Sequence, residues 1–158
     1  MSDSPFLIRL AESDDDEFIL GLLHRFVDFP LPNGRTRTDC LKGIEADLVR
    51  HLDEQPSNSY IFVAENEDGE PVGFVHLQKT QDYFTGRVNC HISDLAVAQT
   101  HEGQGVGRAL LDHAETWARE HRCHLITLAV FPGNERARKI YEEAGYGADL
   151  LRLAKPVH

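Results

Sequence analysis

The chain has 158 residues, of which 41% are hydrophobic and 27% charged, and its formal net charge is −10 at pH 7. This length predicts one domain that can bury about two-thirds of its unfolded surface without metals or disulfides. The charge disfavours nucleic acid, because a phosphate backbone requires a basic surface. Residues 1 to 60 hold twelve of the 26 acidic side chains against six Lys and Arg, which favours a cationic partner. Solvated helix faces remain the simpler explanation.

The cysteine and histidine spacing gives no sign of a metal or a disulfide framework. Cys40, Cys90 and Cys123 are widely separated and form no C-x-x-C pair, which predicts a reducing, cytoplasmic environment. His121 and His124 have no second pair at zinc spacing, so no metal site is predicted. We find neither a signal peptide pattern nor a membrane-spanning run, and we expect neither secretion nor membrane insertion.

In chain order, the first half predicts a strand followed by two helices. Phe6 to Leu10 is the expected strand, and Ser13 with the acidic residues after it predicts a helix that runs to about Asp28. The prolines and glycine between Pro30 and Gly34 end that helix. A second helix is expected from Asp39 to Leu52.

Two apolar runs, Tyr60 to Ala64 and Val72 to Leu77, flank an Asp-Gly turn and predict a β-hairpin.

In the next strand, the alternation of apolar and polar residues changes phase part-way. Between Val88 and Ile92 every second residue is apolar or cysteine, whereas from Leu95 to Val97 the alternation resumes in the opposite phase. A slip of one residue near Ser93 and Asp94 predicts a β-bulge.

Glycines follow this strand at positions 103, 105 and 107, and a helical pattern follows the glycines. Glycines remove side chains where backbone N–H groups must approach a ligand, and the N-terminus of a helix attracts an anion. The segment therefore predicts a site for a phosphorylated cofactor.

Two familiar phosphate-binding motifs do not fit the glycine spacing. In a dinucleotide fingerprint, the third glycine would fall on Arg108 or Leu110, counted from Gly103 or Gly105. In a nucleoside-triphosphate loop, Lys and then Ser or Thr would have to follow Gly107, and they do not.

The remaining elements are predicted from periodicity and turn residues. A third helix begins near Gly105, and a fifth strand covers Leu125 to Val130. A fourth helix follows Asn134, which comes after Pro132 and Gly133 and is a candidate N-cap, and this helix ends at Gly145. A final strand is expected from Tyr146 to about Lys155.

The run from Glu102 to Gly107, Glu-Gly-Gln-Gly-Val-Gly, resembles the motif Gln/Arg-x-x-Gly-x-Gly/Ala of the GNAT family of N-acetyltransferases. Downstream, Asn134, Ala137 and Tyr141 match the family pattern Asn-x-x-Ala-x-x-x-Tyr. Glu102 departs from the pattern, because a carboxylate cannot donate to a phosphate and repels one unless it turns to solvent.

The resemblance implies a single α/β (α+β) domain over residues 1 to 158. Its sheet would be mixed, mostly antiparallel and of six or seven strands, with about four flanking helices. The fourth and fifth strands would splay apart and leave backbone groups free for the pantetheine arm of coenzyme A. The short C-terminal tail leaves open whether one or two strands follow the fourth helix.

The activity implied by the resemblance is transfer of an acetyl group from acetyl-CoA to a primary amine of a small molecule, amino acid, polyamine or peptide. The amine would attack directly and form a tetrahedral intermediate. The acceptor is expected to be cationic, and a homodimer is possible in this family. A non-catalytic acyl-CoA-binding sensor or interaction domain is the alternative, and another acyl donor also stays open.

The cofactor site implied by the resemblance comprises three strand residues, the glycine loop and the start of the fourth helix: Leu95, Ala96, Val97, Gly103, Gln104, Gly105, Val106, Gly107, Arg108, Asn134, Ala137 and Tyr141. Backbone N–H groups around Leu95 to Val97 are candidates for stabilising the oxyanion. Further cations that could meet cofactor phosphates, or simply remain exposed, are Arg136, Arg138 and Lys139.

The predicted catalytic residues are Tyr141 and Asp94. Tyr141 would donate a proton to the departing thiolate, although the same residue also suits an apolar helix stripe. Asp94 would accept the proton of the amine, or would instead satisfy N–H groups at the bulge. His76, His91 and Glu65 are the alternative bases.

Overall fold

The computed structural model describes residues 4–158, and in them five strands form one sheet in the order β1-β2-β3-β4-β5. The strands are β1 (Leu7–Leu10), β2 (Ser59–Glu65), β3 (Pro71–Gln81), β4 (Val88–Val97) and β5 (Ile126–Leu128). Neighbours from β1 to β4 are antiparallel, and β5 is parallel to β4. The predicted mixed sheet is confirmed, but the count of six or seven strands is wrong for the described residues.

Four α-helices flank the sheet: α1 (Asp16–Leu20), α2 (Arg37–Glu54), α3 (Val106–Glu120) and α4 (Glu135–Glu143). The prediction of one helix as far as Asp28 is wrong. A 3-10 turn precedes α1, and another spans Leu23–Phe26. Gly21 stands at the end of α1, where its low helix propensity favours termination.

Side-chain caps fix where two of the helices begin. Thr36 precedes α2, and its hydroxyl accepts from the Asp39 N–H at 3.1 Å. Asn134 precedes α4, and its Oδ1 accepts from the Ala137 N–H at 3.3 Å. The second bond confirms the N-cap interpretation of Asn134.

The predicted strand from Tyr146 to Lys155 is also wrong, because the structure has no strand there. The Tyr146 N–H bonds back to the Tyr141 carbonyl at 2.9 Å, which closes the end of α4 instead of starting a ladder. The tail beyond Tyr146 has exposed apolar residues in no regular alternation, so it lacks the pattern of a strand with one buried face.

The hydrophobic core lies on both faces of the sheet. Leu110, Leu111 and Trp117 of α3 pack on one face, and Ile19 and Leu48 of α1 and α2 pack on the other. Each face is therefore covered by helices, as in other layered α/β domains.

Gly73 of β3 allows α3 to approach the sheet closely. A Cβ atom there would lie 2.9 Å from the Ala96 carbonyl oxygen and 3.0 Å from Val106 Cγ1. The absent side chain thus sets the spacing between the sheet and the start of α3. In residues 4–158, no helix combines the length and the apolar character that crossing a bilayer requires.

Candidate active site

Strand β4 contains the predicted bulge. His76 of β3 pairs with Asp94, but the next residue, Leu77, pairs with Ile92. Ser93 is therefore the extra residue, and the prediction of a bulge at Ser93 and Asp94 is confirmed.

The bulge separates the paired part of β4 from its open part. Residues Cys90–Ile92 pair with β5, while β4 continues to Val97 with no strand on that side among the described residues. The fourth and fifth strands splay apart as predicted, and five residues of β4 present an open edge to the gap.

The hydrogen bonds of β4 show which amides face the gap. The Ala98 N–H donates to the Val72 carbonyl at 2.8 Å. Because backbone groups alternate along an antiparallel strand, the Ala96 amide faces β3 as well, whereas the amides of Leu95 and Val97 face the gap. Of the three predicted strand residues, these two can offer an N–H to a ligand.

The glycine loop between β4 and α3 combines free amides with open space. Gly103 has φ 76° and Gly105 has φ 85°, a conformation that L side chains rarely adopt, and a Cβ at either would meet nothing within 4 Å. The Ala109 N–H donates to the Gly105 carbonyl at 3.0 Å. The amides of the first turn, from Val106 to Arg108, precede this bond and point out of the helix end.

Glu102, the departure from the family motif, is paired with two arginines. One oxygen of its carboxylate contacts the Arg25 guanidinium and lies 2.6 Å from Arg136 Nη1. Arg25 also donates from Nε to the Val97 carbonyl at 3.2 Å and from Nη1 to Asp28 at 2.7 Å. The ion pairs offset the charge that was expected to repel a phosphate.

Among the arginines that were predicted to contact the cofactor phosphates, Arg108 bonds with Asp112 at 3.1 Å on the exposed face of α3. Arg138 donates to the Pro132 carbonyl at 3.0 Å. Arg136 therefore reaches the glycine loop, and Arg108 and Arg138 have other partners. Arg25 was missed, since its contact with Glu102 joins residues far apart in the sequence and no local pattern signals it.

Asp94 is held by a fully buried histidine. Its Oδ2 lies 2.9 Å from His76 Nδ1, and His76 Nε2 lies 2.7 Å from the Ser59 hydroxyl. The Asp94 side chain is 10% exposed and that of His76 is 0% exposed. His76, predicted as an alternative base, is thus a partner of Asp94 and is inaccessible to solvent.

The other two alternative bases have separate partners. Glu65 lies 3.1 Å from Arg9 Nε near the β1 edge of the sheet. His91 Nδ1 lies 2.8 Å from the Thr127 hydroxyl, and burial lowers the pKa of its imidazole. When His91 is neutral, its second ring nitrogen can accept or donate one hydrogen bond beside the gap between β4 and β5.

Tyr141 lies on the face of α4 that packs against the core, with its ring centroid 5.9 Å from that of Tyr146. Burial raises the pKa of the Tyr141 phenol to about 12. The hydroxyl therefore stays protonated throughout the neutral range, where it can donate a hydrogen bond. The Tyr146 hydroxyl is buried and has no partner among the described residues.

A cleft of about 320 Å³ opens where the loop before α2 meets the loop before α4. Its lining residues are Gly34, Arg35, Asp39, Cys40, Gly43, Ile44 and Phe131. Within residues 4–158, Asp39 makes no salt bridge. The cleft thus offers one uncommitted carboxylate and one guanidinium to a polar ligand.

The family model described as "Acetyltransferase (GNAT) family" matches residues 26–146. The chain belongs to this family. It is an acetyl-CoA-dependent N-acetyltransferase, and both the enzyme and the cofactor expected from the sequence are confirmed.

Two relatives and one solved structure illustrate the similarity. The uncharacterized N-acetyltransferase YhfO of Bacillus subtilis (strain 168) is 32% identical over 142 residues, 90% of each chain. The mycothiol acetyltransferase of Propionibacterium freudenreichii is 42% identical over 142 residues, 88% of this chain and 43% of that protein. The structure of AAC(6')-Iy with the bisubstrate analog CoA-S-monomethyl-acetylneamine shares the fold, with a TM-score of 0.68 at 20% identity over 97% of this chain and 99% of that one.

Proposed function

We propose that the chain acetylates a primary amine on a small cationic molecule, amino acid, polyamine or peptide, with Asp94 as the base. The observation that carries this proposal is the Asp94 carboxylate, part-exposed at the bulge where β4 begins its open edge. The whole domain over residues 1–158 would serve this one reaction.

On the cofactor side of the site, backbone N–H groups would make most of the contacts with the ligand. Acetyl-CoA supplies the activated acetyl group as a thioester. The amides of Val106 to Arg108 would hold its diphosphate, with Gly103 and Gly105 leaving room for it. The amides of Leu95 and Val97 would donate to the pantetheine arm and to the oxygen that becomes negatively charged.

Asp94 would act on the acceptor in two ways. An aliphatic amine with a pKa of about 10 is mostly protonated at pH 7. The carboxylate attracts this ammonium, which must lose one proton to solvent before its nitrogen has a lone pair that can attack the thioester. As the N–C bond forms, the nitrogen becomes more acidic, and Asp94 accepts the second proton.

Tyr141 would assist the departing sulfur. A thiol has a pKa of about 8.5, so complete proton transfer from a phenol whose pKa is about 12 is uphill by roughly 5 kcal/mol. We therefore assign Tyr141 the role of a hydrogen-bond donor to the sulfur as negative charge develops there. The sulfur then takes its proton from solvent.

The acceptor class is inferred from the cleft at the start of α2. Asp39 would pair with a cationic group of the acceptor, and Arg35 would pair with a carboxylate where the acceptor has one. The name of the mycothiol acetyltransferase, a relative at 42% identity, supports a small-molecule acceptor.

The test measures thiol release from acetyl-CoA with spermidine, L-lysine, neamine and a lysine peptide as acceptors. We expect at least one amine to be acetylated, and Asp94→Asn to lower kcat/KM by about 100-fold or more. Glu65→Gln, a carboxylate on another strand, is the matched control and should leave kcat/KM unchanged. Full activity of Asp94→Asn would reject Asp94 as the base, and turnover of none of the four acceptors would reject the proposed function.

A further inference from the structure

A chain of hydrogen bonds runs from the surface near Ser59, through His76, to Asp94. It crosses three neighbouring strands, β2, β3 and β4, beneath α2. Only the end at Asp94 lies at the proposed reaction site, so the mechanism above leaves the rest of the chain without a role.

The protons in this chain can be assigned from donor and acceptor chemistry. An ionised carboxylate only accepts, so the His76 Nδ1–H donates to Asp94 Oδ2. A neutral imidazole then has a lone pair on Nε2, which accepts from the Ser59 hydroxyl. The Asp94 carboxylate thus selects the tautomer of His76, and the Ser59 hydroxyl, which is able to donate or accept, matches this tautomer by donating to Nε2.

A second set of bonds keeps the His76 ring in place. His51 of α2 lies with its ring centroid 4.6 Å from that of His76. Its Nδ1–H donates to the Asp47 carbonyl at 2.8 Å, and its Nε2 accepts from the Gln78 amide at 3.0 Å. The Gln78 carbonyl oxygen in turn accepts from the Ser93 hydroxyl at 2.6 Å.

The same cluster offers ligand atoms to a metal, because those of Asp47, His51 and His76 lie within 4.8 Å of one another. Both ring nitrogens of each histidine, however, already have a protein partner. A metal would have to break two or more of these bonds, so the hydrogen-bond network explains the cluster better.

We propose that His76 is a positioning residue for Asp94, and that Ser59 supports the required tautomer by donating to Nε2. This inference rests on the proposed role of Asp94 as the base. The bond from His76 occupies Oδ2 and orients the carboxylate, which leaves Oδ1 to receive the proton of the amine. The titratable groups around the pair are Asp47 and His51 of α2 and His91 of β4.

Two variants of His76 separate positioning from a structural role. His76→Asn carries an amide nitrogen at the δ position and can still donate to Asp94, while it loses the bond to Ser59. His76→Gln carries the amide at the ε position, where it reaches Ser59 and cannot donate to Asp94. Both lose the ring contact with His51, so the damage to packing is matched.

With the best acceptor of the amine panel, we expect His76→Gln to lower kcat by about tenfold or more and His76→Asn to retain most of it. A carboxylate that loses a hydrogen-bond donor is more easily protonated. The acid limb of the kcat/KM profile should therefore move to higher pH in His76→Gln and stay in place in His76→Asn. Equal losses in both variants, or no loss in either, would overturn the inference.

A measurement on the free protein tests the tautomer without any acceptor. Nitrogen-15 NMR should show His76 protonated on Nδ1 and unprotonated on Nε2, and Ser59→Ala should weaken this preference. A proton on Nε2 alone would overturn the inference. If Asp94→Asn is fully active, the proposed base fails; if Asp94→Asn is inactive while His76→Gln is normal, the positioning role alone fails.

Discussion

The two sides of the proposed site differ in the groups that face the ligand. The cofactor side consists of the open edge of β4 and the loop from Gly103 to Arg108, where backbone amides face the ligand. The acceptor side consists of Asp94 with its partner His76 and of the cleft at the start of α2, where side chains face the ligand. Backbone suits a ligand that all family members share, and side chains suit one that differs among them.

The difference predicts where substitutions act. On the cofactor side, a change of side chain matters when it displaces backbone or fills space. On the acceptor side, it matters when it removes one charge or one hydrogen bond. Four substitutions test this division.

Gly73→Ala should have the largest effect, because its Cβ would press on the Ala96 carbonyl and on Val106 at once. We expect a loss of about 2–3 kcal/mol in the free energy of unfolding, since backbone and a packed helix must both move. Urea denaturation measures the loss. An unchanged denaturation midpoint would show that α3 can move away from the sheet without cost, and would contradict the claim that Gly73 sets their spacing.

Tyr141→Phe should lower kcat by about tenfold to a hundredfold with little change in the KM for acetyl-CoA, because it removes a donor to the sulfur. Tyr146→Phe is the matched control, since its hydroxyl has no partner among the described residues and its ring packs against Tyr141. The pKa of about 12 further predicts that no alkaline limb from Tyr141 appears below about pH 11. Equal kcat values for the two variants would reject the assigned role.

Gly43→Ala should improve stability and impair acceptor binding at the same time. Gly43 lies within α2 at the cleft, and a Cβ there would meet nothing within 4 Å. Alanine should therefore stabilise the helix by about 1 kcal/mol, since no packing opposes it. The added methyl group would enter the cleft and raise the KM for the amine while leaving that for acetyl-CoA unchanged. An unaltered KM for the amine would place the acceptor elsewhere.

Glu102→Gln should have the smallest effect. It removes a carboxylate beside the glycine loop and releases Arg136 to interact with phosphate, while Arg25 keeps its bonds to Val97 and Asp28. We expect the KM for acetyl-CoA to fall by a few-fold at most, because the Glu102 carboxylate is 32% exposed, and the interactions of a part-exposed charge are weakened by water and screened by salt. The fall should shrink as ionic strength rises. A higher KM would mean that Glu102 is needed to hold the two arginines in place.

The cofactor side could be predicted from the sequence because its determinants are local. The phase change between Ile92 and Leu95 indicated the bulge, and the glycines at 103 and 105 indicated a backbone turn that other residues rarely adopt. Asn134 was predicted as an N-cap from the residues next to it. Each of these signals lies within a few residues of the feature that it specifies.

The acceptor side could not be predicted in the same way, because its contacts join distant residues. The partners of His76 are Ser59 and Asp94 on neighbouring strands, and the sequence does not state the register that brings them together. The predicted helix up to Asp28 and the predicted final strand failed for a different reason, because local signals were given too little weight. Gly21 ends α1 early, and the bond from the Tyr146 N–H to the Tyr141 carbonyl closes α4 where the strand was expected to begin.

Amide hydrogen exchange by NMR, with and without coenzyme A, tests the proposed backbone cradle most directly. We expect added protection at Leu95, Val97 and the first turn of α3 from Val106 to Arg108, with Ala96 unchanged because its amide already faces β3. Binding of coenzyme A without protection at these amides would contradict the backbone cradle and the site built on it.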